Sequence, residues 1–492
     1  MGYALGLDLG TGSLKGILIN NNGDIVGIES ETYPLHNPQN GYCEQNPEDW
    51  ITACKSVFKK FKKNIDDFIY ELEGISFSGQ MHSLVLTDEL GDSLRPAILW
   101  NDTRNTKQCN KIMSEYGNDI LRITKNVALE GFTLPKILWV KENEPEIWEN
   151  TKKIFLPKDY LRYWLTGEFQ MDYSDASGTL LMDISRYEWS DEILKKYDIE
   201  KSILPTLVKS TGQTGFVKNE LLKEFDFKKE VKVFSGGADN AVSSLGAGLI
   251  DKDTAISSIG TSGVFLALEE SAHGRYNGKI HLFNHVLEDK YYSMGVTLAA
   301  GHSLNWFKNI FFKNTSYNDM LSNINKVPIG SGGLLFTPYI LGERTPHIDS
   351  QIRGAFIGLS NEHNVNNFVR SIVEGITFSL KESKILMESL LDRSFDKVIS
   401  IGGGSKSDEW LQIQADIFNA KIYKLENEEG PGLGAAMIAA LGLGWYESTR
   451  DCVKKIIRYS DPISPIEDNV KRYEKVFEKY RKVYKATKTV LS

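Results

Sequence analysis

The sequence predicts a two-part α/β protein whose halves share one plan, and three observations carry that expectation. Its 492 residues exceed what one core usually holds, at about 150 residues per domain. It opens with a strand, Gly-rich turn, strand pattern: Tyr3 to Leu9 is apolar, Gly10-Thr11-Gly12-Ser13 is a turn, and Leu14 to Asn20 is apolar again. The pattern recurs as Ala255 to Ile259, Gly260-Thr261-Ser262-Gly263 and Val264 to Leu268, with Gly260 lying 250 positions after Gly10.

The remaining elements follow in chain order. Asn21-Asn22-Gly23-Asp24 is a second turn signal, and the alternation of Ile25 to Thr32 predicts a third strand, making an antiparallel meander. A helix comes next. Asn46 is an N-cap, Pro47 suits the first helical position, Glu48 and Asp49 complement the helix dipole, and Trp50, Ile51, Cys54, Val57 and Phe58 keep helical spacing. Ile75 to Ser78 reads as a short buried strand and Asn240 to Ile250 as a helix. Asp251-Lys252-Asp253 is then the best boundary, dividing the chain into 1–250 and 251–492 with a joint short enough to serve as a hinge. In the second half a strand runs into Gly402-Gly403-Gly404-Ser405. A helix follows over Asp408 to Ile417, and Gly430-Pro431-Gly432-Leu433-Gly434 opens a helix of small residues. Asn469 to Lys488 is basic and amphipathic, with Val476, Phe477, Tyr480 and Tyr484 in one stripe. It is expected to dock on its own domain rather than on a membrane.

Composition removes several function classes. With 41% hydrophobic and 25% charged residues the chain is neither disordered nor fibrous. A formal charge of −8 leaves no overall positive field to draw nucleic acid or an anionic membrane, so any phosphate must be bound by local geometry. Cys43, Cys54, Cys109 and Cys452 have no Cys-x-x-Cys spacing, which argues against a zinc site or disulfide framework and suits a reducing cytoplasm. Met1 to Gly6 carries no basic leader or acylation signal, and the longest small-apolar stretch, Gly432 to Trp445, is shorter than the about 20 residues a membrane span needs. A homodimer is left open.

Four motifs can carry chemistry. Asp8-Leu9-Gly10-Thr11-Gly12-Ser13-Leu14-Lys15 places an acid at a strand end before a turn rich in N–H and hydroxyl donors, which suits a phosphate and its metal; a plain hairpin capped by the carboxylate explains it equally. Ser235-Gly236-Gly237-Ala238-Asp239-Asn240 puts an acid among small residues that let a ligand approach, as a general base needs, or as a helix N-cap would. Gln80-Met81-His82 and Trp100-Asn101 offer amide, imidazole and indole groups fit for a polyhydroxylated ligand, against the blander reading of His82 as a structural hydrogen-bonder. Gly403 and Gly404 allow backbone approach to a nucleotide, but no P-loop or protein-kinase signature accompanies them. His281 and His285 have metal-ligand spacing without a third ligand nearby.

Together the Asp8 to Lys15, Ser235 to Ala241, Ile259 to Gly263 and Gly402 to Ser405 segments resemble the FGGY family of carbohydrate kinases over nearly the whole chain. Gly41 to Pro47, Ser78 to His82, Arg95 to Arg104, Leu156 to Tyr160, Asp172 to Thr179 and Gly342 to His347 strengthen the resemblance. Ser83, after His82, and the Gly12-Ser13 pair depart from the usual pattern. The resemblance implies two actin-like (ribonuclease H-like) domains with mixed sheets flanked by helices, closing a cleft around sugar and MgATP. It implies ATP-dependent phosphorylation of D-xylulose at the 5-hydroxyl, with Asp239 as base and Asp8 organising Mg²⁺. Thr11, Gly12, Ser13, Lys15, Gly260 and Thr261 would lie near the phosphates, and Gly403 and Gly404 would border the adenosine. Gln80, Met81, His82, Trp100 and Asn101 would lie on the sugar. A kinase for ribulose or gluconate, or an actin-like regulatory ATPase, stays open beside it.

Overall fold

The computed structural model describes residues 2–491; Met1, which begins the opening hexapeptide, and Ser492 lie outside the described residues. A first sheet contains β1 (Tyr3–Leu9), β2 (Ser13–Asn20), β3 (Ile25–Thr32), β4 (Leu72–Gly79), β5 (Gln213–Phe216), β6 (Lys232–Phe234) and β7 (Gly237–Ala238). A second contains β8 (Thr254–Ile259), β9 (Gly263–Glu269), β10 (His281–Asn284), β11 (Tyr291–Thr297), β12 (Lys397–Gly402) and β13 (Lys421–Lys424). The strand orders are β5-β6-β4-β1-β2-β3, with β7 beside β4, and β10-β11-β9-β8-β12-β13. In each sheet an antiparallel meander continues into parallel strands, β1 on β4 and β8 on β12. The repeat of Gly-Thr turns is therefore a repeat of topology. β4 starts three residues before the expected Ile75, because Leu72 and Gly74 pair with Tyr3 and Ala4.

The helices that bear on the site are α1 (Pro47–Asn64), α2 (Pro157–Thr166), α3 (Tyr173–Ser177), α4 (Asp239–Gly246), α5 (Gly301–Phe311), α6 (Val365–Leu391), α7 (Asp408–Phe418), α8 (Gly430–Gly442) and α9 (Glu467–Leu491). α1 begins as its sequence dictates: the Asn46 side chain accepts from the Glu48 N–H at 3.3 Å, and Trp50, Cys54, Val57, Phe58 and Phe61 bury one face. α4 stops at Gly246, short of the expected Ile250, because the chain turns at Gly248, whose φ is +81° and where a Cβ would meet the Tyr459 hydroxyl at 2.3 Å. α9 docks on the second half. Phe477 and Tyr480 are buried, Tyr473 accepts from Arg370 at 2.7 Å, and the Tyr484 ring stacks on His347 at 3.6 Å. Among the described residues no helix is long and apolar enough to cross a membrane.

α8 belongs to the second half of the sequence but packs on the first sheet and on α4. A Cβ on Gly6 of β1 would lie 2.1 Å from the Gly432 carbonyl oxygen, and one on Gly434 would lie 2.1 Å from the Val242 carbonyl oxygen. The elements therefore meet backbone to backbone, and no side chain fits between them. Gly434→Ala is expected to destabilise the protein by about 1–3 kcal/mol, the usual cost of overpacking a tight contact. A melting temperature within a degree of the parent's would contradict that packing.

Candidate active site

The parallel strands β1, β4 and β7 deliver their carboxyl ends to one edge of the first sheet, the edge where open α/β sheets bind ligands. Asp8 lies opposite Ser78 in the β1–β4 register, and Ala238 lies opposite Gly79 in the β7–β4 register, so Asp8 and Asp239 emerge on either side of β4. Both are half-buried. Burial raises the Asp8 carboxyl to about 6, with the Ser78 hydroxyl and the Lys15 charge pulling it back. Burial also raises Asp239, to about 7, and the charge of Asp8 adds to the effect, while Asn240 opposes it. Asp239 is not an N-cap. Ala238 holds that position, and the Asp239 carboxylate accepts from the Asn240 backbone N–H at 2.6 Å and its side-chain amide at 2.9 Å. The loop before it requires Gly236, whose φ is +75° and where a Cβ would sit 2.0 Å from the Phe77 carbonyl oxygen.

The Gly10 to Ser13 turn closes through a 3.1 Å bond from the Gly10 N–H to the Ser13 carbonyl, and Gly12 is exposed at its tip. Thr11 is tied to the Gln80 and Trp100 segments: its hydroxyl accepts from the Trp100 indole at 2.9 Å, and its carbonyl accepts from Gln45 at 2.6 Å. Gln45 in turn accepts from the buried Gln80 at 3.0 Å, and the Gln80 side-chain oxygen has no partner. Lys15 lies opposite Asp8 in the hairpin, yet its ammonium is 2.5 Å from Glu429 at the start of α8. Neighbouring Glu428 accepts from the Gly402 N–H at 2.6 Å and from Ser405 at 3.0 Å. Two adjacent glutamates thus tie the first-half hairpin to the Gly402 to Ser405 loop.

Met81 and His82 follow β4, and Met81 reaches the residue after Asp239. The Asn240 amide and the Tyr292 hydroxyl each approach the Met81 sulfur at 3.7 Å. The His82 Nδ1 lies 2.6 Å from the Gly178 carbonyl, which only accepts, so Nδ1 carries the proton and Nε2 is an acceptor. Burial, with lesser contributions from the Lys136 and Arg344 charges, lowers the imidazole to about 3 and keeps it neutral. Its ring packs against Phe132 at 4.6 Å and Phe283 at 5.9 Å. Trp100 is 46% exposed. Asn101 is exposed and its side chain reaches the Cys43 thiol. Ser83 is fully buried and accepts from the Trp100 N–H at 3.0 Å, so this departure from the family pattern fastens Trp100.

On the second sheet a cavity of about 480 Å³ is lined by Gly260, Thr261, Gly403 and Gly404 together with His302, Asn305, Tyr317 and Trp410. The first two N–H groups of α5, from Gly301 and His302, bond the carbonyls of Gly260 and Thr261 at 2.9 and 3.0 Å. Gly404 is packed under Ile259, where a Cβ would meet side-chain carbon at 2.7 Å, and Gly403 is the exposed member of the pair. Phe132, Phe283, Tyr292, His302, Asn305 and Tyr317 were not singled out in the sequence. Their places depend on contacts between segments far apart in the chain.

His281 and His285 hold structure instead of metal: His281 bonds Asn126 at 2.9 Å and His285 bonds Ser244 at 2.5 Å. Among the described residues no group of three or more His, Cys, Asp or Glu side chains could cage a metal ion. All four cysteines are buried and free.

Both halves of the chain are similar to known proteins. Residues 3–246 match the model of the FGGY family of carbohydrate kinases, N-terminal domain, and residues 255–443 match its C-terminal domain. The chain is 52% identical over 491 residues to a xylulose kinase of Lactococcus lactis subsp. lactis (strain IL1403), covering 100% of this chain and 98% of that one. It is 48% identical to a xylulose kinase of Bacillus subtilis (strain 168), covering 99% and 98%. A crystal structure of a xyloylose kinase from Brucella ovis superposes with a TM-score of 0.94 at 32% identity, covering 99% of this chain and 100% of that one.

Proposed function

We propose that this chain, which belongs to the FGGY family of carbohydrate kinases and has its two-domain actin-like fold, transfers the γ-phosphate of ATP to the 5-hydroxyl of D-xylulose, giving D-xylulose 5-phosphate and ADP. The observation that carries this reading is the Asp239 carboxyl. It stands at a strand end with a titration near 7, across β4 from Asp8, and its neighbour Asn240 reaches the Met81 sulfur at 3.7 Å. A base whose pKa lies near working pH is ionised enough to accept a hydroxyl proton and basic enough to hold it. The unprotonated Nε2 of His82 would accept a hydrogen bond from a sugar hydroxyl, and the exposed face of Trp100 suits a C–H face of the sugar. The full-length relatives named as xylulose kinases support the choice of ketopentose.

ATP would lie with its adenosine in the second-sheet cavity and its phosphates toward Gly260, Thr261 and the Gly10 to Ser13 turn. Asp8 fits a magnesium site. A single half-buried carboxylate without a protein cage matches a cation that keeps water and phosphate oxygens as its other ligands. Mg²⁺ bound there supplies neutralisation of phosphate charge. Lys15 reaches the same phosphates only by sharing or leaving Glu429. We place the division between the halves at residues 251–253, with α8 returned to the first sheet, and the enzyme in a reducing cytoplasm that suits its free thiols.

ADP release measured with D-xylulose, D-ribulose, gluconate and no sugar tests the reading. D-xylulose is expected to give the highest kcat/KM. Equal release without any sugar would mark a regulatory ATPase, and a better alternative sugar would move the substrate assignment. Closure of the cleft is expected as compaction in solution scattering when D-xylulose and a non-hydrolysable ATP analogue are added together. The analogue alone should give less compaction, since it cannot bridge His82 and Trp100 to Asp239. Superimposable curves with and without both ligands would contradict closure.

A further inference from the structure

The five-residue helix α3 touches both sides of the sugar site. At its start the Ser174 hydroxyl accepts from the Ala238 N–H at 3.0 Å, one residue before Asp239, and donates to the Asp172 carboxylate. At its end the Gly178 carbonyl holds the His82 Nδ1–H at 2.6 Å. Its last residue, Ser177, accepts from the Asn284 N–H of β10 at 3.2 Å, a bond to the other half of the chain.

The helix stands on a buried ionic cluster. Asp172 caps it by accepting from the Ser174 N–H at 2.8 Å, and its second oxygen lies 2.7 Å from the Lys158 ammonium. Lys158 also meets Asp159 at 2.7 Å and Asp175 at 3.0 Å. Arg162 joins Asp159, at 2.7 Å, to the Ser235 hydroxyl, at 3.2 Å, on the loop that leads to Asp239. All five charged side chains have no exposure. Burial acts to discharge Lys158, but the neighbouring aspartates outweigh it and hold the ammonium charged, while burial pushes the Asp175 carboxyl well above the usual carboxylate range. Burying such an ionic cluster is a poor way to stabilise a fold, since apolar side chains of similar size commonly do as well. Such a network does fix the position of what is bonded to it.

We propose that α3 is the spacer that sets the separation of Asp239 and His82, with Ser174 the positioning residue for the base and Gly178 the positioning residue for the imidazole. The inference rests on the kinase reading above. The two ends of the helix are expected to affect different kinetic parameters. Ser174→Ala frees the Ala238 N–H and lets the Asp239 loop drift, so kcat should fall about 10–100-fold with the sugar KM within threefold, because reacting groups tolerate little misplacement. Gly178→Ala puts a Cβ 2.7 Å from the His82 Nδ1, and Phe132 blocks the ring's retreat. Its sugar KM should rise about tenfold with kcat changed less than threefold. Ser210→Ala is the control for a merely structural cluster, since Ser210 donates to the same Asp172 oxygen at 3.3 Å without touching Ala238. It should keep kcat within twofold.

The assay uses the sugar that wild-type enzyme turns over fastest, so absence of any sugar-dependent ADP release would count against the kinase reading. Normal wild-type turnover with Ser174→Ala unchanged would count against the spacer alone. Equal kcat losses in Ser174→Ala and Ser210→Ala, or the same parameter moving in Ser174→Ala and Gly178→Ala, would also overturn it. Where Ser174→Ala does not fold, Ser174→Cys keeps the volume and weakens the acceptor; at least a fivefold kcat loss is expected, and a wild-type kcat overturns the proposal. A crystal structure of the folded Ser174 variant checks the claim without turnover. The Asp239 carboxylate should move relative to His82, and an unmoved carboxylate would refute the spacer.

Discussion

Asp239→Asn is expected to lower turnover by about 10²–10⁴-fold, the usual cost of losing a general base, with sugar affinity and folding close to the parent's. The amide keeps the size of the carboxylate and can still accept from Asn240, whose bonds at 2.6 and 2.9 Å fix the side chain. What it cannot do is hold the proton of a sugar hydroxyl. The same carboxyl is expected to set the pH dependence. Burial first, then the charge of Asp8, penalises the ionised form and raises the titration from its ordinary range to about 7. A base must be ionised to work, so kcat/KM, which reports the free enzyme, should fall as pH drops below about 7 and level off above it. Near-parent turnover in Asp239→Asn, or a kcat/KM flat from pH 8 to pH 5, would remove Asp239 from the chemistry.

Asp8→Ala is expected to cut turnover at fixed Mg²⁺ by about 10²-fold or more and to raise the magnesium concentration needed for half-maximal rate. The side chain sits at the mouth of the hairpin turn, and among the described residues no carboxylate cluster could replace it. The substitution also removes the negative charge that raises Asp239. The acid limb of kcat/KM should therefore move to lower pH in the variant, a shift that general damage to the site would not produce. Magnesium titration at fixed ATP, repeated across pH, reads both effects. An unchanged magnesium curve with normal turnover would show Asp8 to be only a capping residue.

Much of the fold was legible because its signals are local. The Gly10 and Gly260 turns announce two hairpins, and the structure places them in sheets of matching strand order. The Asn46-Pro47 start of α1 and the stripe of α9 read directly, since capping and periodicity are properties of neighbouring residues. The site was legible by residue type and less so by arrangement. Asp239 could equally be an N-cap until the backbone showed Ala238 in that place. Lys15 looks like a free phosphate-binding cation in sequence, and its partner Glu429 lies 414 positions away. Asn101 shares a motif with Trp100 but faces Cys43, because adjacent residues of an irregular segment need not share a direction. Phe132, Phe283 and Tyr292 pack on His82 and Met81 from three separate segments, and no local pattern marks a residue whose place comes from tertiary packing. Ser83 looks like a change in the pocket and proves to be a buried tie to the Trp100 backbone.

The most direct test of the account is the identity of the phosphorylated product. D-xylulose and MgATP are incubated with the enzyme, ADP is quantified, and the sugar phosphate is examined by phosphorus and proton magnetic resonance. Transfer to the 5-hydroxyl with Asp239 as base requires one ADP per sugar phosphate formed, a phosphorus signal coupled to the two C5 methylene protons, and loss of both in Asp239→Asn. A phosphate on any other carbon, or ADP released at the same rate with no sugar phosphate formed, would contradict it.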